Sequence, residues 1–142
     1  KNNRQMTTIN ATKGEFVSLI NGLFQVQTLE GKEFGLKVSK NLRKIQDALK
    51  DLEEMGKPSE EFMALAKQVN ELANSGAEDA KEKVDKLEKD NAELVKERQE
   101  QMEKVTNAML ESMDLELEII PESLLPEKIT AQQITGIQKI IE

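Results

Sequence analysis

Two apolar stripes of nearly equal length, separated by Asn74, Ser75 and Gly76, constrain this chain more than any other feature. From Leu36 onward, Leu42, Ile45, Leu49 and Leu52 recur at alternating steps of three and four, the spacing of a coiled-coil seam. EMGKPSEE interrupts the stripe, and Phe62, Leu65, Val69 and Leu72 then repeat it. Beyond Gly76 a long charged helix is predicted, with Ala80, Val84, Leu87, Asn91, Leu94, Arg98, Met102, Val105 and Met109 along one side. Residues 36–74 and 77–113 would each extend about 55 Å as helix. The NSG linker suits a tight antiparallel connection. Folding the chain back there sets Leu72 opposite Ala80, Val69 opposite Val84, Leu65 opposite Leu87 and Phe62 opposite Asn91. It also sets Leu52 opposite Met102, Leu49 opposite Val105 and Ile45 opposite Met109.

The interruption has its own chemistry. Gly56 can take a left-handed cap, Pro58 forbids smooth continuation, and Ser59 can restart the helix as N-cap ahead of Glu60 and Glu61. This break falls opposite residues 95–98, where the seam is also polar, so a kink or local splay is predicted. Asn91 either fixes the register or sits at an exposed edge.

In DLELEIIPESLLPEK, residues 114–128, the rhythm changes from helix to strand: Leu115, Leu117 and Ile119 fall on one side, Glu116 and Glu118 on the other. A strand needs a partner, and MTTIN, residues 6–10, is the best available. Thr12 and Glu15 have capping-box spacing ahead of Phe16, Leu19, Ile20, Leu23 and Phe24, which predicts a helix to Val26. LEGKEFG reads as a turn-rich break, with a β-hairpin of QVQTL and FGLKV as the rival. A last helix is predicted after Thr130, with Ile134, Ile137, Ile140 and Ile141 on one face that the first helix can cover. The expected fold is mainly α. It is a single elongated domain over residues 1–142, in which a coiled-coil-like antiparallel helical hairpin (36–113, tip at 74–76) projects from a small α+β base. That base comprises residues 6–35 and 114–142, with two short terminal strands. With 33% of residues charged and four phenylalanines as the sole aromatics, narrow helix-to-helix seams are easier to build than a large core.

The same inventory excludes much chemistry. Without cysteine there is no thiolate catalysis or cysteine-based metal site, and without histidine the commonest general base and metal ligand is missing. No nucleotide loop, zinc spacing, calcium loop or nucleophile elbow is present. The expectation is a non-enzyme with no cofactor and no small-molecule substrate. The carboxylate pairs Glu53 with Glu54 and Glu60 with Glu61 read as solvated helix faces, and Asp85 with Lys89, Glu82 with Lys86 and Glu100 with Lys104 as exposed ion pairs. A formal charge of −7 disfavours nonspecific binding to nucleic acid or an anionic membrane. Lys37, Lys40, Arg43 and Lys44 form a basic cluster that reads as a solvated face, with a phosphate-contacting patch as the alternative. No apolar run is long enough to span a membrane and KNNRQMTT lacks a signal-like apolar region, so a soluble protein is expected. Met6, followed by TTINATKGE, reads as a native start with residues 1–5 added ahead of it.

The layout of MTTINATKGEFVSLINGLF, GLKVSKNLRKIQDAL, a charged coiled-coil middle and LELEIIPESLLPEKITAQQITGIQKII resembles small proteins of unknown function encoded among tailed-bacteriophage genes. The resemblance implies a virion or assembly component, found in the virion or host cytoplasm, with viral structural proteins among its partners. It carries over no functional residue. The leading expectation is thus an interaction or structural protein that docks through an apolar patch at Ile134, Ile137, Ile140 and Ile141. A chaperone-like or regulatory binder using Phe62, Met63 and Leu65 near the tip is the second. Nucleic-acid contact through Lys37, Lys40, Arg43 and Lys44 is the third. Met102, Met109 and Met113 read as core filler or as an adaptable groove. The heptad seam can also pair between subunits, so a homo-oligomer is compatible with it.

Overall fold

Thr12 starts the first helix in the way its spacing predicts. Its hydroxyl accepts from the Glu15 N–H at 3.1 Å while its own N–H donates to the Glu15 carboxylate at 2.8 Å. A computed structural model describes residues 5–142; apart from Gln5, the residues read as an added leader lie outside that range. The chain is mainly helical with a two-stranded antiparallel sheet. In order it forms β1 (Met6–Thr12), α1 (Lys13–Val26), α2 (Lys32–Ala48), α3 (Lys50–Met55), α4 (Glu60–Ala73), α5 (Ala80–Asp90), α6 (Ala92–Met109), β2 (Ser112–Glu118) and α7 (Ala131–Gly136), with short 3-10 turns at Glu122–Leu124 and Gln138–Ile140. No helix among the described residues is long and apolar enough to cross a membrane.

The chain divides into two compact units. The first holds the described residues up to Leu52 together with Ala108–Glu142. Here the two terminal strands pair as predicted, from Met6 opposite Glu118 to Thr12 opposite Ser112, and both are longer than the sequence suggested. Phe16, Leu23 and Val26 of α1, Phe34, Val38 and Ile45 of α2, and Leu117, Ile120, Ile137 and Ile140 are all fully buried and supply the core. FGLKV is helical, so the rival β-hairpin does not form. Helix α1 packs on α7 across a glycine pair: a Cβ built on Gly22 would stand 2.1 Å from the Gly136 carbonyl oxygen.

The C-terminal segment departs from the single isoleucine-faced helix. Thr130 and Gln133 form the expected capping box, but α7 ends at Gly136, a poor helix former. Ile137 leaves helical geometry with φ −122° and a 3-10 turn follows. Ile141 then bridges to Ile120, whose N–H donates to the Ile140 carbonyl at 2.7 Å while its carbonyl accepts from the Glu142 N–H at 3.1 Å. Burying Ile137 and Ile140 in this tighter path outweighs continuing the helix.

The Glu15 carboxyl is held below its ordinary value of 4.5, chiefly by the Thr12 N–H and then by the Lys139 ammonium 3.7 Å away. A depressed folded pKa means that the cap's contribution is complete above pH 4.5 and fades as pH falls through the lower folded value. The melting-temperature gap between wild type and Glu15→Ala is therefore expected to be widest near neutrality and to close in acid. A gap that widens on acidification would contradict this arrangement.

The second unit, Glu53–Asn107, contains most of the charged middle. Helices α4 and α5 pack on each other. Ser59 caps α4 by accepting from the Phe62 N–H at 3.1 Å, and Gly76 turns the chain with φ +76°. Gly56, expected in a left-handed cap, has no positive φ. The predicted continuous helix over 77–113 is broken at Asn91, whose side-chain amide donates to the Leu87 carbonyl at 2.8 Å, competing with the backbone ladder. Asn91 therefore ends a helix.

Candidate functional site

Helix α2 presents Phe34, Val38, Asn41 and Ile45 along one stripe, and the polar member meets β2. Asn41 is 2% exposed. Its Nδ2 donates to the Glu118 carbonyl at 2.9 Å, and its Oδ1 accepts from the Glu118 N–H at 2.8 Å. One side-chain amide thus does for Glu118 what a neighbouring strand would do, satisfying both backbone groups at the edge of the sheet. An asparagine inside an apolar helical stripe was the available signal, and reading the cluster by its charges alone misses it.

Above this pair, Glu118 draws in two of the lysines. Lys37 Nζ lies 3.2 Å from Oε1 and Lys40 Nζ 3.8 Å from Oε2. The side chains of Glu118 and Lys37 are only 15% and 16% exposed, so that pair is well shielded, whereas Lys40 reaches into solvent. The basic cluster of Lys37, Lys40, Arg43 and Lys44 is therefore not a free cationic patch: one carboxylate on β2 engages two of its four cations, and Arg43 and Lys44 remain exposed without that partner. Lys37, Lys40 and Glu118 form one wall of a groove of about 750 Å³, with Met6, Glu33, Pro121 and Leu124 around it. It is open and of mixed charge.

Among the described residues no group of three or more acidic, histidine or cysteine side chains is placed to hold a metal, and no buried side-chain nitrogen or oxygen is left without a hydrogen-bond partner.

The expected partner residues are sorted differently by the structure. Ile137 and Ile140 are wholly inside the first unit, so the predicted docking patch is corrected: half of it is core, and Ile134 and Ile141 are only partly exposed. In the second unit Phe62 is partly covered by the Arg98 guanidinium, 5.5 Å from its ring centroid, and Leu65 is buried. Met63 is the exposed member, at 50%. Met55 and Met102 are also exposed in that unit, so Met102 is not the core filler its seam position suggested.

The predicted break at residues 56–58 is held by side chains from α6. Arg98 Nη1 donates to the Gly56 carbonyl at 2.9 Å, and Gln101 Nε2 donates to the carbonyls of Met55 at 2.8 Å and Lys57 at 2.6 Å. These are carbonyls that α3 leaves without helical partners as it ends. The polarity of the seam at Arg98 thus has a cause.

No family model, curated protein or solved structure matches the chain.

Proposed function

We propose that this chain is a non-enzymatic interaction protein, a structural or assembly component, and that its second unit is a helical hairpin that supplies the partner-binding surface. One observation carries this reading. Met63, with Met55 and Met102, stands exposed on helices whose own apolar stripe, Val69, Leu72, Val84 and Leu87 among it, is only partly covered. Methionine is unbranched and polarisable, and exposed methionines on helices make surfaces that adapt to apolar partners. The first unit buries Leu23, Leu117, Ile120, Ile137 and Ile140 in its own core, and its exposed apolar side chains, Phe24, Leu36 and Leu110 among them, include no such methionine cluster. The resemblance to phage-encoded proteins sets the proposed role in a virion or in its assembly in the host cytoplasm, with viral structural proteins as partners. A chaperone-like role would use the same surface, with Met63 in place of the half-covered Phe62.

The test is affinity purification of the tagged chain from cells expressing its whole native gene neighbourhood, with wild type compared against Met63→Glu and Met102→Glu. Both positions are exposed, so melting should be unchanged. The expected result is one dominant partner whose recovery falls at least about tenfold in the variants, in line with an apolar anchor of 1.4 kcal/mol or more. Full recovery of that partner by both variants would refute the assignment of this surface.

A further inference from the structure

Among the described residues the sheet of the first unit has two strands, and its two edges are treated very differently. The cross-strand bonds run through alternate residues: the Lys13 N–H donates to the Glu111 carbonyl at 2.9 Å and the Ile119 N–H to the Gln5 carbonyl at 2.7 Å, at the two ends of one register. Stepping along that register, Thr7, Ile9 and Ala11 face β2, and the backbone groups of Met6, Thr8 and Asn10 point away from it. The outer edge of β2 is guarded. Asn41 occupies Glu118, α2 packs alongside, and Asp114, Glu116 and Glu118 give it like charges. Among the described residues the outer edge of β1 has no such guard. MTTINAT carries no charge and no proline, its Met6, Thr8 and Asn10 are exposed, and among the described residues no backbone bond to these three outward-facing groups is made. Edges left this way pair with another strand, and charge, proline or cover is how proteins prevent it.

We propose that β1 is a self-pairing edge: two copies of this chain join β1 to β1 in antiparallel fashion about a twofold axis at Thr8. In that register the outward N–H and C=O of Thr8 bond those of Thr8 in the second copy, and Met6 bonds Asn10 of the second copy. Thr7 then meets Ile9 of the second copy on the side where both residues are already half-buried. The match is isologous, so one uncharged patch completes itself. The occupant is a second copy because charge selects it. A chain at −7 repels its own kind over most of its surface, and β1 is a seven-residue strand with nothing to repel, whereas β2 offered to its own copy would oppose three carboxylates to three. The product, a sheet of order β2-β1-β1-β2, also exceeds the strand number at which small sheets become stable in water. This inference is independent of the methionine surface, which lies in the other unit.

Two substitutions separate edge pairing from folding. Thr8 stands opposite Glu116 within its own sheet, so Thr8→Lys adds a favourable cross-strand charge pair there while setting lysine against lysine across the axis. Thr8→Pro removes an N–H that points outward and so leaves the β1–β2 bonds intact. Light scattering from micromolar to millimolar concentration is expected to give twice the chain mass for wild type and the single-chain mass for both variants, with the Thr8 amide slow to exchange only in the dimer. Should Thr8→Pro fail to fold, Thr8→Lys decides alone. A wild type that stays single at every concentration overturns the proposal. So does a dimer that persists in Thr8→Lys, or one in which the Thr8 amide exchanges freely.

Discussion

Gly22→Ala is expected to destabilise the first unit by about 3 kcal/mol, although alanine is the better helix former by about 1 kcal/mol. A Cβ there would lie 2.1 Å from the Gly136 oxygen and 2.6 Å from its carbonyl carbon, so the obstacle is backbone. Helix α7 cannot easily step aside, because its start is locked by the Thr130 and Gln133 box and its exit is anchored by buried Ile137 and Ile140. The melting temperature of that unit should fall by roughly 10–20 °C. Gly35→Ala is the internal control. It too lies within a helix, and a Cβ there would meet nothing within 4 Å, so it should raise stability by about 0.5–1 kcal/mol. Thermal melts that place both variants on the same side of wild type would show that the α1–α7 crossing is not as close as described.

Asn41→Leu is the second large effect, a loss of about 3 kcal/mol. Leucine has the same number and branching of side-chain heavy atoms and suits the apolar stripe, so apolar burial alone predicts a neutral or stabilising change. What decides the sign is that the Glu118 N–H and C=O would each lose a partner in a shielded place, at about 1–3 kcal/mol apiece. That loss exceeds the gain from burying a larger apolar surface. Hydrogen exchange gives the site-specific readout: the Glu118 amide should lose protection beyond what global destabilisation explains, while amides bonded between β1 and β2 follow the global change. If Asn41→Leu melts at or above wild type, the amide bridge does not hold the edge.

Several local features could be read from single residues because local chemistry settles them. The capping residues Thr12, Ser59 and Thr130 satisfy N–H groups within three residues of themselves, and the alternation of β2 specifies which side of it is buried. The pairing of β1 with β2 was legible because the chain contained few other candidates for a strand. The failures arise where distant groups decide. Nothing near Lys37 announces Glu118, which is 81 residues away, and a basic cluster therefore looked freer than it is. The isoleucines after Ala131 have helical spacing, yet the chance to pair beside Ile120 draws the chain out of the helix at Ile137. A periodic stripe also says nothing about how completely it is covered, and for this reason Ile137 and Met102 exchanged their expected places between surface and interior.

The three carbonyls gripped by Arg98 and Gln101 carry a consequence for alignment. Heptad stripes tolerate sliding, because moving one strip past another by seven residues brings apolar positions back together. Such a shift would put Leu94 or Ala108 in the place of Gln101, and Asn91 or Val105 in that of Arg98. The carbonyls of Met55, Gly56 and Lys57 would then face side chains that mostly have nothing to donate. The apolar residues supply adhesion between segments, and this polar grip acts as the key that admits a single alignment, placed where the helix has to break in any case.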